Sequence, residues 1–233
     1  MLIGQVFDEA PLYAILDPAV RPDIPPETVL EALLRAGVKV IQYRHKARFL
    51  RGHFQQCAAL ARRTHEMGGA FLVNDRADVA DLCGADGVHL GQDDLPPEKA
   101  RRFLGEERLI GYSTHNLDQA RRAAGLPVDY IAIGPVFPTT TKQDPDPVVG
   151  LATVSEVRAL TDKPLVAIGG ITIENAASVL AAGADAVAVV RDVLGASDIE
   201  ERAREFLRVL KTRSQKSEPR AGASGVNAVT SDE

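Results

Sequence analysis

Short apolar runs rich in β-branched residues recur along this chain, each followed by a stretch whose apolar positions fall at helical spacing. The runs are Leu12–Leu16, Val38–Tyr43, Ala70–Val73, Gly87–Leu90, Leu109–Gly111, Tyr130–Ile133, Pro164–Ile168 and Ala186–Val190. Pro25 and Pro26 open the first predicted helix, whose apolar positions include Val29, Leu30, Leu33 and Leu34, and Gly37 stands in the C′ role that ends it. Residues 51–67 form the next, with Phe54, Cys57, Ala58, Leu60 and Ala61 on one face and Gly68-Gly69 as a stop. Further helices are expected at 77–83, from Pro96-Pro97 to about 104, and at 117–124, 154–161, 174–182 and 198–211.

Strands that alternate with helices imply a parallel sheet, because each crossover returns the chain in the same direction. Eight such units within residues 1–211 fit an α/β fold made of a single (β/α)8 barrel. An open doubly wound sheet is the competing architecture, but the Gly-x-Gly-x-x-Gly turn after its first strand is absent. Residues 212–233 carry Ser, Gly, Ala and charge without apolar periodicity and read as a disordered tail.

In such a barrel the loops that follow the strands gather on one face, where the active site lies. The polar clusters of this chain track those positions. Arg44 and Lys46 follow the second run, Asn74 and Asp75 the third, and Asp93 and Asp94 the fourth. Ser113 and His115 follow the fifth, Thr139, Thr140, Thr141 and Lys142 the sixth, Gly169-Gly170 the seventh, and Arg191 the eighth.

Bulk properties narrow the partners. Of 233 residues, 45% are hydrophobic and 25% charged, an ordinary globular composition. A net charge of -5 argues against nucleic acid, which needs clustered cations. Cys57 and Cys83 sit in apolar helical contexts and read as small buried hydrophobes. No charged-then-apolar leader and no apolar run long enough for a bilayer is seen, so a cytoplasmic location without membrane contact is expected. The oligomeric state is left open.

Arg44, Lys46 and Lys142 bring three cations to one cavity, and a diphosphate is the anion that matches them. Asp75 and Asp94 (or Asp93) precede helical segments, where Asp also serves as an N-cap. Beside those cations they suit Mg²⁺, which takes one or two carboxylates together with substrate phosphate oxygens. Gly169-Gly170-Ile171 lets backbone approach a second phosphate, with Val190 and Arg191 completing that site. Two anionic substrates joined with loss of diphosphate describe a transferase. His115 is a titratable candidate or a structural hydrogen-bonder, and His89 is core or lining.

Six ordered segments then resemble the thiamine-phosphate synthase family over residues 11–211. They are Gln42-Tyr43-Arg44-His45-Lys46, Asn74-Asp75-Arg76, Gly91-Gln92-Asp93-Asp94, Gly111 to His115, Gly134 to Lys142, and Ile168 to Ile171. The resemblance implies that Gln42, Tyr43, Arg44, His45, Lys46, Asn74, Ser113 and Lys142 bind a hydroxymethylpyrimidine diphosphate, with Arg44, Lys46, Lys142 and Ser113 the catalytic set. It implies that Asp75 and Asp94 ligate Mg²⁺, and that Thr139, Thr140, Thr141, Gly170, Val190 and Arg191 hold a thiazole phosphate. It also implies a dissociative displacement in which positive charge stabilises departing diphosphate and no catalytic base is needed.

The chain departs from the family at Arg191, where members often carry Ser. The alternatives are a thiazole tautomerase of the same family, in which the residue at the place of His115 is catalytic, and a catalytically inactive phosphate-binding barrel. The Thr-x-Thr-Lys turn and the acidic pair favour the synthase.

Overall fold

The computed structural model describes residues 2–141 and 144–214. Among them, eight strands form one closed, wholly parallel barrel in sequence order. They are β1 (Leu12–Leu16), β2 (Val40–Tyr43), β3 (Ala70–Asn74), β4 (Gly87–Leu90), β5 (Leu109–Thr114), β6 (Tyr130–Ile133), β7 (Leu165–Ile168) and β8 (Ala186–Val189). Closure comes from β8 pairing with β1, in the register Leu12↔Val187, Tyr13↔Ala188 and Ala14↔Val189. The expected barrel is the observed one.

The helices begin with α1 (Ile3–Glu9), α2 (Pro26–Ala36), α3 (Arg51–Glu66), α4 (Ala77–Leu82) and α5 (Pro97–Leu104). They continue with α6 (Leu117–Ala124), α7 (Gly150–Leu160), α8 (Ile173–Ala181), α9 (Arg191–Leu194) and α10 (Ile199–Ser214). Gly37 ends α2 with φ 96°, the left-handed cap that a Cβ would oppose. No helix among the described residues is long and apolar enough to cross a membrane.

Three differences from the sequence reading have local causes. Helix α7 starts at Gly150 rather than 154, since no side chain caps its first turn and nothing in the sequence marks the start. Helix α10 runs to Ser214, so the tail expected from 212 begins inside a helix, and residues 215–233 lie outside the described ones. The short helices α1 and α9 were not expected; neither has a side-chain cap, and both are under two full turns.

Strand alternation divides the apolar residues between two cores. Leu16, Ile41, Phe71, Val73, Val88, Ile110, Ile131 and Val187 face outward against the helices. Tyr13, Ile15, Val40, Leu72, Leu109, Tyr130, Val166 and Ala188 face the axis. Helix α1 closes the end of the barrel opposite the strand C-termini, with Ile3 and Phe7 joining the axial core one helical turn apart. The Phe7 ring lies 6.3 Å from that of Tyr13 and 6.2 Å from that of Tyr130, the latter edge-on.

Tyr130 crosses the axis only because residue 111 on the neighbouring strand is glycine. A Cβ there would sit 2.0 Å from the Tyr130 ring, well inside contact. Because Phe7 is fully buried between the two tyrosines, Phe7→Ala should leave a cavity and cost about 3 kcal/mol or more. Urea unfolding checks this, with a lower midpoint at unchanged slope as the expected result.

Candidate active site

One cavity of about 1160 Å³ opens at the C-terminal ends of the strands. Its lining brings together Gln42, Arg44, Lys46, Asn74, Asp75, Asp94, Ser113, Thr139, Thr140, Thr141, Gly170, Val190 and Arg191. Lys142 lies outside the described residues. Two residues from the second strand's motif are not on the wall. Tyr43 points outward by strand parity, and its hydroxyl donates to Gln56 Oε1 of α3 at 2.9 Å. His45 stacks in a side cluster with Tyr43, Phe49 and His53, its ring 4.0 Å from that of His53. The expectation that Tyr43 and His45 line the pocket beside Gln42 is not what the structure shows: both side chains turn away from the cavity, because side-chain direction alternates along β2 and its continuation.

The cations are held by acids. Arg44 pairs with Asp17, which is buried just beyond β1 and also accepts from Ala19 N at 3.0 Å. Lys46 Nζ reaches Asp75 Oδ2 at 2.6 Å. Asp75 adopts φ 65°, a left-handed conformation that Asp tolerates better than most residues. Its backbone N donates to His89 O at 2.8 Å, which turns the carboxylate toward β4.

Asp94 meets it there. Asp94 Oδ2 accepts from Gly91 N at 2.7 Å. Burial pushes the Asp94 carboxyl above its usual range, and the adjacent Asp75 carboxylate pushes it further, while Gly91 N and Lys46 oppose the rise. Two carboxylates in contact with one cation nearby form a site short of positive charge. Among the described residues no set of three or more His, Cys, Asp or Glu converges, so the donor set is a pair rather than a cage. A pair suits a hard ion that keeps waters and takes substrate oxygens. Asn74 Nδ2 is buried nearby without a partner among the described residues, a donor still to be satisfied.

The opposite wall is built from backbone. Past the strand ends, Val136 N donates to Ile168 O at 2.9 Å and Phe137 N to Gly169 O at 3.0 Å, so the β6 and β7 loops stay paired. Gly170, at φ 64°, lies so close that a Cβ would fall 2.4 Å from Pro138 O. This pairing sets Thr139, Thr140 and Thr141 on the rim. Arg191, at the start of α9, reaches across to them. Its Nε donates to Thr141 Oγ1 at 3.1 Å and Nη2 to Thr140 O at 3.4 Å. Arg191 therefore faces the threonine turn, not away from the cavity.

His115 Nδ1 donates to Gly134 O at 2.7 Å and lies 3.5 Å from Asp146 Oδ2. That ring braces the end of β6. His89 is the more deeply placed imidazole, with Nδ1 2.8 Å from Tyr130 Oη and Nε2 2.8 Å from Ser113 Oγ. Burial holds its pKa down to about 4. Asp17, Tyr13 and Tyr130 were not singled out in the sequence. Asp17 carried the same signal as the other sites, an acid directly after a strand, whereas the two tyrosines were hidden by the apolar company they keep.

The His89 shift has a definite sign. Between about pH 4 and the unfolded value near 6.5, the unfolded chain binds the proton and the folded chain does not, so stability falls as pH falls. From pH 7 to pH 5 this group should remove about 2 kcal/mol. Urea unfolding at both pH values should show that extra loss in the wild type and not in His89→Gln.

Comparison with known proteins gives a consistent result. Residues 12–193 match the family model described as thiamine monophosphate synthase. The thiamine-phosphate synthase of Koribacter versatilis is 48% identical over 206 residues, covering 85% of this chain and 95% of that one. The thiamine-phosphate synthase of Pelotomaculum thermopropionicum is 44% identical, covering 79% of this chain and 85% of that one. The solved thiamine phosphate pyrophosphorylase of Pyrococcus furiosus superposes with a TM-score of 0.81 at 33% identity, over 89% of this chain and 98% of that one. With the family model matched over residues 12–193 and relatives this similar over most of their length, the chain belongs to the thiamine monophosphate synthase family.

Proposed function

We propose that this cavity joins 4-amino-5-hydroxymethyl-2-methylpyrimidine diphosphate to a (carboxy)thiazole phosphate, forming thiamine phosphate and releasing diphosphate. The observation that supports the reading is that one cavity gathers hydrogen-bond donors and cations at two separate places on its wall. One end holds Arg44, Lys46, Asn74 and the Asp75–Asp94 pair. The other holds the glycine backbone, the three threonines and Arg191, which makes no ion pair among the described residues.

At the first end Arg44 and Lys46 face the diphosphate, with Asn74 Nδ2 as a neutral donor and Ser113 on the adjoining strand. Asp75 and Asp94 are the residues that would hold Mg²⁺, which neutralises diphosphate charge when bound. The bond between the pyrimidine methylene carbon and the bridging oxygen breaks, and its electron pair leaves on diphosphate. The thiazole nitrogen then donates its own pair to the methylene carbon. Lys46, freed from Asp75 by the arriving charge, and Arg44 stabilise the leaving group by fixed positive charge rather than by proton transfer. Lys142 completes the cation set in the sequence reading. At the second end Thr139, Thr140, Thr141, Gly170, Val190 and Arg191 seat the thiazole phosphate. No base is required, in keeping with His115 being committed to Gly134 O. The same reading places the chain in the cytoplasm, with these small molecules as its partners.

The test is direct. Purified protein with both substrates should release diphosphate and form thiamine phosphate when Mg²⁺ is added, and chelation should stop it. Asp94→Asn keeps the shape but removes a charge, and should lower turnover about 100-fold, the scale of lost charge stabilisation in a transition state. Binding of both ligands without product would instead indicate an inactive binding barrel, and thiazole isomerisation without condensation would indicate the tautomerase.

A further inference from the structure

Five polar side chains from five strands cross the floor of the cavity in one unbroken series. Gln42 Nε2 donates to Tyr13 Oη at 2.8 Å. The Tyr13 and Tyr130 hydroxyls lie 2.9 Å apart. Tyr130 Oη is 2.8 Å from His89 Nδ1, and His89 Nε2 is 2.8 Å from Ser113 Oγ. The first four members are buried, so a misdirected proton anywhere along the series would leave a donor or acceptor unsatisfied.

The donor inventory gives the series a direction. An amide nitrogen only donates, so Tyr13 Oη accepts from Gln42 and spends its one proton on Tyr130. Tyr130 in turn donates to His89 Nδ1, which must be the bare nitrogen. The proton of the neutral imidazole is then on Nε2, and Ser113 Oγ accepts it. Among the described residues Ser113 Oγ has no other partner, so its own proton faces the cavity. A serine and a histidine at this distance usually suggest the opposite arrangement, in which the imidazole takes the hydroxyl proton and makes a nucleophile. Here that role is closed off by the tyrosine on the far side of the ring.

We propose that Tyr130 and His89 are positioning residues that, through this one-way series, hold Ser113 as a hydrogen-bond donor to an acceptor atom of the pyrimidine diphosphate. The inference rests on the function proposed above for the identity of that ligand, and on the hydrogen-bond order alone for the proton positions. Tyr130 matters more than Tyr13. Without Tyr13, Tyr130 still has a proton to give to Nδ1. Without the Tyr130 hydroxyl, nothing opposes the other tautomer, whose bare Nε2 would draw the Ser113 proton away from substrate.

The experiment is long-range ¹H–¹⁵N NMR of the full chain labelled at its five histidines, with His89→Gln identifying the His89 signals. The expected spectrum at pH 7 shows His89 protonated at Nε2 and bare at Nδ1; protonation at Nδ1 overturns the proposal. In Tyr130→Phe the Nε2–H signal should weaken. In the same variant kcat/KM for the pyrimidine diphosphate should fall roughly tenfold, with KM for the thiazole phosphate unchanged and Tyr13→Phe affected less. Adding Ser113→Ala to Tyr130→Phe should cost far less than Ser113→Ala costs the wild type. Independent, multiplying losses would mean that Tyr130 only packs, and would overturn the proposal. Failure of every form to make thiamine phosphate would refute the function and leave the tautomer result standing.

Discussion

The pairing of β8 with β1 is the interaction on which the rest of this structure depends. Until those two strands meet, the parallel sheet has two open edges and its strand ends do not converge. Once they meet, parity decides everything about the interior. Gln42 faces the axis and Tyr43 does not, although they are neighbours in sequence. The same rule brings Tyr13, His89, Ser113 and Tyr130 from four strands into contact at one level.

Two of the cations in the cavity above that floor are paired with carboxylates. Arg44 leans on Asp17 and Lys46 on Asp75, so neither cation is left unpaired in a partly buried space. The balance is incomplete at Asp94, whose carboxyl is raised by burial and by Asp75. An incoming divalent ion and a polyanion would each relieve part of that arrangement, the ion by taking the acids and the anion by taking the cations.

Much of this was legible in the sequence, and what was not has physical reasons. The alternation of apolar runs with helical spacing was strong because every strand of a parallel barrel is buried on both faces. The placement of polar residues just past those runs located the cavity wall from Arg44 to Arg191. Strand parity beyond the end of β2 could not be read, because the polar residues of Val38–Tyr43, Lys39 and Gln42, fall on opposite parities and do not show which side is inward; the resemblance groups Tyr43 and His45 with Gln42 as one contiguous motif. The polar series on the floor was invisible for a related reason. Tyr13 and Tyr130 sit within apolar runs and look like core, which by volume they are. Their hydroxyls acquire partners only when strands far apart in sequence are folded together.

Helix α1 gives the molecule a second address for its chemistry. Phe7 stands on the closed side of the barrel yet its ring lies against both tyrosines of the floor. The amino-terminal residues are thus a foundation beneath the cavity, although they precede every motif of the family. Changing the volume of that one side chain offers a way to tilt the tyrosine pair, and so to retune the reaction chamber from underneath while its mouth is left intact.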